Sequence, residues 1–128
     1  MRIDVKPDSF QLAQVFTISR GSRTQADVLT TTITDGGHQG QGECVPYARY
    51  GETLESVTDQ INGLSGSFDR ETLLDLLPAG AARNAVDCAL WDLQAKQAGK
   101  RVWELASLPA PKPEITAYTL SLDTPEKM

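Results

Sequence analysis

Three features of the 128-residue sequence predict an α+β fold: a small antiparallel sheet, then a helical bundle, then the first strand of a truncated β/α barrel. Residues 1 to about 47 are rich in β-branched side chains and contain a glycine turn. Residues 52–107 repeat apolar side chains at helical spacing. After a proline-rich linker, an apolar segment is followed at once by a helix-start signal, which is how a βα repeat begins.

The sheet is expected from residues 9–19, 26–34 and 39–44. Asp35-Gly36-Gly37-His38 marks a hairpin, because glycine supplies the positive φ of a tight turn. Arg20-Gly21-Ser22-Arg23 reads as the loop between the first two strands. In the helical zone, residues 52–62 carry Leu54, Val57 and Ile61 at spacings of three and four, and Gly63 stops them. A short helix over 69–77 ends at Pro78. The longest helix spans 81–98, with Gly99 as its stop.

That helix is apolar on two sides. Ala82, Val86, Ala89, Leu90 and Leu93 form one stripe, while Cys88, Trp91, Ala95 and Ala98 form another nearly opposite it. The sheet and shorter helices cover one stripe. Covering Trp91 calls for either further sequence or another subunit in a homo-oligomer. Beyond Pro109-Ala110-Pro111-Lys112-Pro113, residues 115–122 read as a strand, and Asp123-Thr124-Pro125-Glu126 as a helix start.

Composition excludes several classes. A formal charge of −5 argues against nucleic acid, which selects for basic patches. No apolar run approaches the roughly 20 residues of a membrane helix, and the N-terminus shows no secretory signal. Two distant cysteines, Cys44 and Cys88, make no disulfide framework and fit a reduced cytoplasmic setting.

Two segments carry a family resemblance. Gly40-Gln41-Gly42-Glu43-Cys44 with Pro46-Tyr47-Ala48-Arg49-Tyr50-Gly51-Glu52 resembles the capping domain of the enolase superfamily. Residues 79–93, with Arg83-Asn84-Ala85-Val86-Asp87 at their centre, resemble the long helix of its muconate-lactonizing subgroup. Together with Arg20-Gly21-Ser22-Arg23 and Thr116-Ala117-Tyr118-Thr119, the pattern is most similar to dipeptide epimerases acting on L-Ala-D/L-Glu. The resemblance implies a capping domain at 1–108, and a linker with the first barrel strand and helix start at 109–128. It implies Mg²⁺ and a pair of lysines that invert an α-carbon by removing and returning a proton. A divalent cation is needed because deprotonation beside a carboxylate adds charge to an anion. After residue 115 the only lysine is Lys127, and no series of metal-binding carboxylates follows. The catalytic and metal-binding residues are therefore expected outside this chain, in a barrel domain, and the 128 residues alone are expected to be inactive.

The specificity loops remain. The resemblance implies that Arg20 and Arg23 fold over a small dipeptide substrate, with an arginine fork on the glutamyl carboxylate. Tyr47 and Tyr50 are expected to wall the pocket beside Arg49. Thr116 and Thr119 are expected near the substrate at the end of the barrel strand, although odd spacing sends them to opposite faces. Ordinary roles compete with each of these: solvated charge for the arginines, packing for the tyrosines and β-propensity for the threonines. Glu43 and Glu52 are read as structural, His38 as a solvated turn residue, and Cys88 as core. Asp87 and Asp92 are expected to bond to neighbouring loops or the barrel. Sister enzymes with the same cap are alternatives: muconate cycloisomerase, o-succinylbenzoate synthase and N-succinylamino acid racemase. So are a non-catalytic binding module and a purely structural piece that docks onto a separate barrel.

Overall fold

Strand alternation and one glycine pair build a three-stranded antiparallel meander in the order β1-β2-β3. The strands are β1 (Arg2–Ile18), β2 (Gly21–Asp35) and β3 (His38–Cys44), in a computed structural model that describes residues 1–128. Gly36 and Gly37 turn β2 into β3 at φ 56° and 81°, the left-handed values a two-residue hairpin needs.

β1 begins earlier than its alternation suggested, since Arg2 to Gln11 pair in unbroken register with Thr34 to Gln25. The register then slips. Leu12, Ala13, Gln14 and Val15 stand opposite the single residue Thr24 before Phe16 pairs with Arg23. Extra residues on one strand bend it and increase its twist. The expected loop at 20–23 shrinks to a turn at Ser19 and Arg20, and Arg23 already lies in β2.

The inner face of the sheet is legible as alternation. Leu29, Thr31 and Ile33 of β2 are fully buried, and Gly40, Gly42 and Cys44 of β3 are buried beside them. Two helices cover this face, α1 (Leu54–Asn62) and α3 (Ala81–Ala98), while α2 (Arg70–Leu76) and α4 (Val102–Leu105) pack on α3. The short α4 has too few residues to show a period. Thr53 and Ser56 cap α1 reciprocally at 3.0 Å each way, and Asp69 caps α2 by accepting the Thr72 N–H at 2.8 Å. Gly99 ends α3 at φ 62°, where Lys100 N–H reaches the Ala95 carbonyl at 2.9 Å. Val57, Ile61, Leu73 and Val86 meet Leu29 and Ile33 in one cluster. Each such side chain contributes roughly 1.5–3 kcal/mol on burial.

β3 and α3 approach each other backbone to backbone. A Cβ on Gly40 would overlap the carbonyl of Ala89, and one on Gly42 would overlap that of Ala85. Two glycines at strand period 2 thus meet two alanines at helix period 4, backbone on backbone. Polar groups pin the same pair. Asp92 Oδ2 accepts the Gln41 N–H at 2.8 Å and the Lys96 ammonium at 2.7 Å, while Lys96 also donates to the Gln39 carbonyl at 2.9 Å. Partial burial works against ionisation of Asp92, but the hydrogen bonds from Lys96 and the Gln41 N–H outweigh it and hold its pKa below the usual carboxylate range.

Three expectations are corrected. First, the second stripe of α3 is partly covered within the chain. The Arg70 guanidinium of α2 lies 3.3 Å from the Trp91 ring centre and pairs with Asp87 at 3.2 Å; Ala95 is buried. A long charged side chain can shield an apolar surface while its head stays solvated. Within the chain, Asp87 bonds to Arg70 of α2 and Asp92 to the β3 main chain, not to the neighbouring loops. Second, Cys88 is exposed, not core: it sits at the edge of the α3–β3 contact, its Cβ 3.0 Å from where a Cβ on Gly42 would stand. Third, residues 115–122 form no strand. Only their end is held: Leu122 N–H donates to Thr17 O at 2.9 Å, Thr17 N–H to Ser121 Oγ at 2.9 Å, and Ser121 Oγ–H to Val15 O at 3.2 Å. Ile115 and Tyr118 are exposed, since a strand pattern needs a ladder and an apolar cover that the cap does not offer it. The helix start at 123–126 makes a single turn, with Lys127 and Met128 N–H groups on Thr124 O.

Gly42→Ala is expected to destabilise this chain by about 1–3 kcal/mol, because backbone must move against backbone; thermal unfolding followed by circular dichroism measures it. Asp92→Asn tests the pH dependence. A carboxylate whose folded pKa is lowered contributes stability above its unfolded pKa, near 3.9, and loses it as pH falls through the folded value. The urea midpoint of the wild type should therefore drop more steeply below about pH 4 than that of Asp92→Asn, and exceed it at neutral pH.

Candidate functional site

The bend in β1 brings the hairpin tip beside the loop that leaves β3. In that loop Ala48–Tyr50 form a 3-10 turn, closed by Gly51 at φ 74° with its N–H on Ala48 O at 3.0 Å. The turn stacks Tyr47 near Tyr50, ring centres 5.7 Å apart and planes tilted by 49°. From β2, the Arg23 guanidinium stands 6.0 Å from the Tyr47 ring centre. Phe16, Ile18, Arg20, Arg23 and Tyr47 line a cavity of about 210 Å³. A wider cleft of about 500 Å³ opens between Val45, Tyr47, Tyr50 and the start of α3 at Ala79–Ala81. Tyr47 belongs to both.

The chemistry of this corner is cationic and aromatic. Neither Arg20 nor Arg23 has a carboxylate within 4 Å, so both guanidiniums keep their donors for a ligand. A planar guanidinium beside an aromatic wall suits a carboxylate, which it binds through two parallel charge-assisted hydrogen bonds. Of the expected site residues, Arg20, Arg23, Tyr47 and Tyr50 come together here. Arg49 is exposed on the 3-10 turn. Thr116 and Thr119 lie on the exposed tail, where Thr116 Oγ1 approaches only the Ala117 carbonyl at 3.5 Å, and neither lines these two cavities.

Glu52 is the residue whose partners sequence reasoning missed. Its Oε2 accepts the Tyr47 N–H at 3.1 Å and its Oε1 accepts the Ala81 N–H at 2.7 Å. The available signal was Gly80: an 18-residue helix opening on glycine has no capping side chain of its own, so an acceptor must come from elsewhere. Glu43 is exposed, and its carbonyl is approached by Asn84 Nδ2 at 3.4 Å. His38 is exposed in its turn, with Nδ1 3.2 Å from Gly36 O.

No nucleophile or metal centre joins the arginines. Burial, then the charges of Glu52 and Glu43, push the Cys44 thiol up to about 11, and burial with Asp87 raises that of Cys88. Both stay protonated at neutral pH. No three His, Cys, Asp or Glu side chains converge as metal ligands, so these residues do not fit a magnesium site. No helix is long and apolar enough to cross a membrane.

Comparison with known proteins bears on this corner. Residues 2–106 match the family described as mandelate racemase / muconate lactonizing enzyme, N-terminal domain. The chain is 42% identical over 130 residues to the L-Ala-D/L-Glu epimerase of Escherichia coli K12, covering 98% of this chain and 40% of that protein. It is 47% identical over 110 residues to an N-acetyl-D-glutamate racemase from a Pseudoalteromonas species, covering 79% of this chain and 34% of that one. An enolase family member from Agrobacterium tumefaciens with homology to dipeptide epimerases, solved with sodium and L-Ala-L-Glu, superposes with a TM-score of 0.86. It is 49% identical, over 98% of this chain and 40% of that one. Other solved dipeptide epimerases of this fold hold magnesium with a dipeptide. The chain thus spans about two fifths, or less, of the proteins it matches.

Proposed function

We propose, from the premise that this chain belongs to the N-terminal domain family of mandelate racemase and muconate lactonizing enzymes, that it is the capping part of an L-Ala-D/L-Glu-type epimerase in which Arg23 receives the substrate's glutamyl carboxylate. The observation that carries the reading is the unpaired Arg23 guanidinium held against Tyr47 at the mouth of a cavity shared with Arg20. The two most similar relatives above are named for glutamyl compounds, and the Agrobacterium structure holds one. A distal carboxylate is the group they have in common.

In this reading the cap selects and orients. The Arg23 fork grips the side-chain carboxylate, Arg20 adds a second positive charge, and Tyr47 and Tyr50 keep water from the ion pair, strengthening it. Binding energy gained far from the α-carbon then holds that carbon in place for proton transfer. Magnesium and the proton-transferring groups are assigned to the three fifths of the enzyme outside this chain, a β/α barrel on which the cap closes. Residues 1–108 form the cap, and 109–128 lead into the barrel. Thr116 and Thr119 enter as contacts made once their strand is paired within it. Both cysteines are free thiols, which supports a cytoplasmic home.

A second reading, racemisation of an N-acylated glutamate, draws on the 47% identical relative. It uses the same arginine and differs at the substrate's amino end. Proton NMR in heavy water separates the two, with the full-length gene product and magnesium. Exchange of the glutamyl α-proton in L-Ala-L-Glu supports epimerisation, and exchange in N-acetyl-D-glutamate alone supports the rival. In the same assay Arg23→Ala should lower kcat/KM for L-Ala-L-Glu by roughly 10- to 150-fold, the worth of hydrogen bonds to a charged group. L-Ala-L-Ala should be little affected. An equal fall for both dipeptides would sink the carboxylate role.

A further inference from the structure

Glu52 stands where the tyrosine loop, α1 and α3 meet. Its backbone is held on both sides, by Gly51 closing the 3-10 turn and by Thr53 capping α1. Its carboxylate joins the Tyr47 N–H to the Ala81 N–H, one oxygen on each. A serine, threonine, asparagine or aspartate at position 80 would cap α3 locally. Gly80 instead leaves the space open: a Cβ there would stand 2.8 Å from Glu52 Oε1. The helix cap is supplied from the loop, so loop and helix form one unit. Glu52 lines the wider cleft, Arg23 lines the smaller cavity, and Tyr47 lines both.

We propose that Glu52 is a positioning residue for the carboxylate site, fixing Tyr47 and, through its ring, the guanidinium of Arg23. The proposal rests on the reading of Arg23 as the carboxylate receptor. Both Glu52 oxygens are turned to N–H groups, which lets an acidic side chain sit near an anion site and support it without touching the ligand.

The test uses the full-length gene product with magnesium. Glu52→Gln keeps the shape but turns an amide NH₂ toward one of the two N–H donors, so one bond is lost. KM for L-Ala-L-Glu should rise about 10- to 100-fold with kcat within about threefold, because substrate placement rather than the chemical step is disturbed. Gly80→Ala, which displaces the carboxylate while leaving residue 52 intact, should reproduce that pattern. In a Tyr47→Ala background Glu52→Gln should add nothing, since it acts through Tyr47. Hydrogen–deuterium exchange should accelerate at residues 45–53 in Glu52→Gln and Gly80→Ala, and stay unchanged in β2.

An unchanged KM despite faster loop exchange would overturn the proposal and leave Glu52 a structural cap. So would a parallel loss of kcat and unfolding midpoint with KM unmoved. A wild type silent on L-Ala-L-Glu would defeat the substrate reading instead. The tie to Tyr47 is then decided by exchange at 45–53, where acceleration in both variants supports it and its absence overturns it.

Discussion

Backbone contact between β3 and α3 sets the geometry from which the rest follows. Gly40 and Gly42 admit the helix to a distance at which any side chain would collide with the Ala85 and Ala89 carbonyls. Two consequences arise at once. The alanines on α3 become part of the sheet's inner layer, and the polar clamp of Asp92 and Lys96 can reach the β3 main chain directly. A larger side chain at either glycine would lift the helix away from both. Small residues at matched periods are here a packing device, not weak points in a strand.

The same approach determines where the functional corner stands. With β3 pressed on α3, the chain leaves Cys44 beside the start of that helix, and the 3-10 turn at Ala48–Tyr50 is presented toward the hairpin tip. Glu52 then stitches loop to helix. Arg23 arrives from the other side, on a strand whose partner is bent by the register slip at Leu12 to Val15. The corner is thus built from three separate parts of the chain, each anchored by main-chain hydrogen bonds.

Legibility in the sequence tracked how local each cause is. The bounds of α3, the Gly36–Gly37 hairpin and the β-branched strand over 26–34 all rest on short-range patterns, and all appear as read. The Gly40-x-Gly42 pair was visible as a motif, yet its reason lies about 45 residues away on α3. The four-against-one register slip leaves no local mark, because Leu12 to Val15 read like any strand. Residues 115–122 show the converse: their strand pattern is clear, but a pattern does not supply a neighbouring ladder. Arg20, Arg23, Tyr47 and Tyr50 were found through family resemblance, since arginine and tyrosine in loops have many ordinary uses. Glu52 was noticed, but its two acceptor roles depend on partners five and twenty-nine residues away. The cover of Trp91 by Arg70 was illegible for the same reason, since the two stand twenty-one positions apart.

The slip in β1 also bears on how such a cap diversifies. Pairing from Arg2 to Gln11 is complete before the slip, and pairing from Phe16 to Ile18 starts afresh beyond it. The outer hairpin therefore has a register of its own, decoupled from the strands over the core. Residues can be added, lost or exchanged beyond Gln11 without shifting which side chains of β2 face α3. The cavity wall at Phe16, Ile18 and Arg20 is thereby built in a register separate from that of the core. The irregularity is a boundary between the register that serves the core and the register that serves the tip.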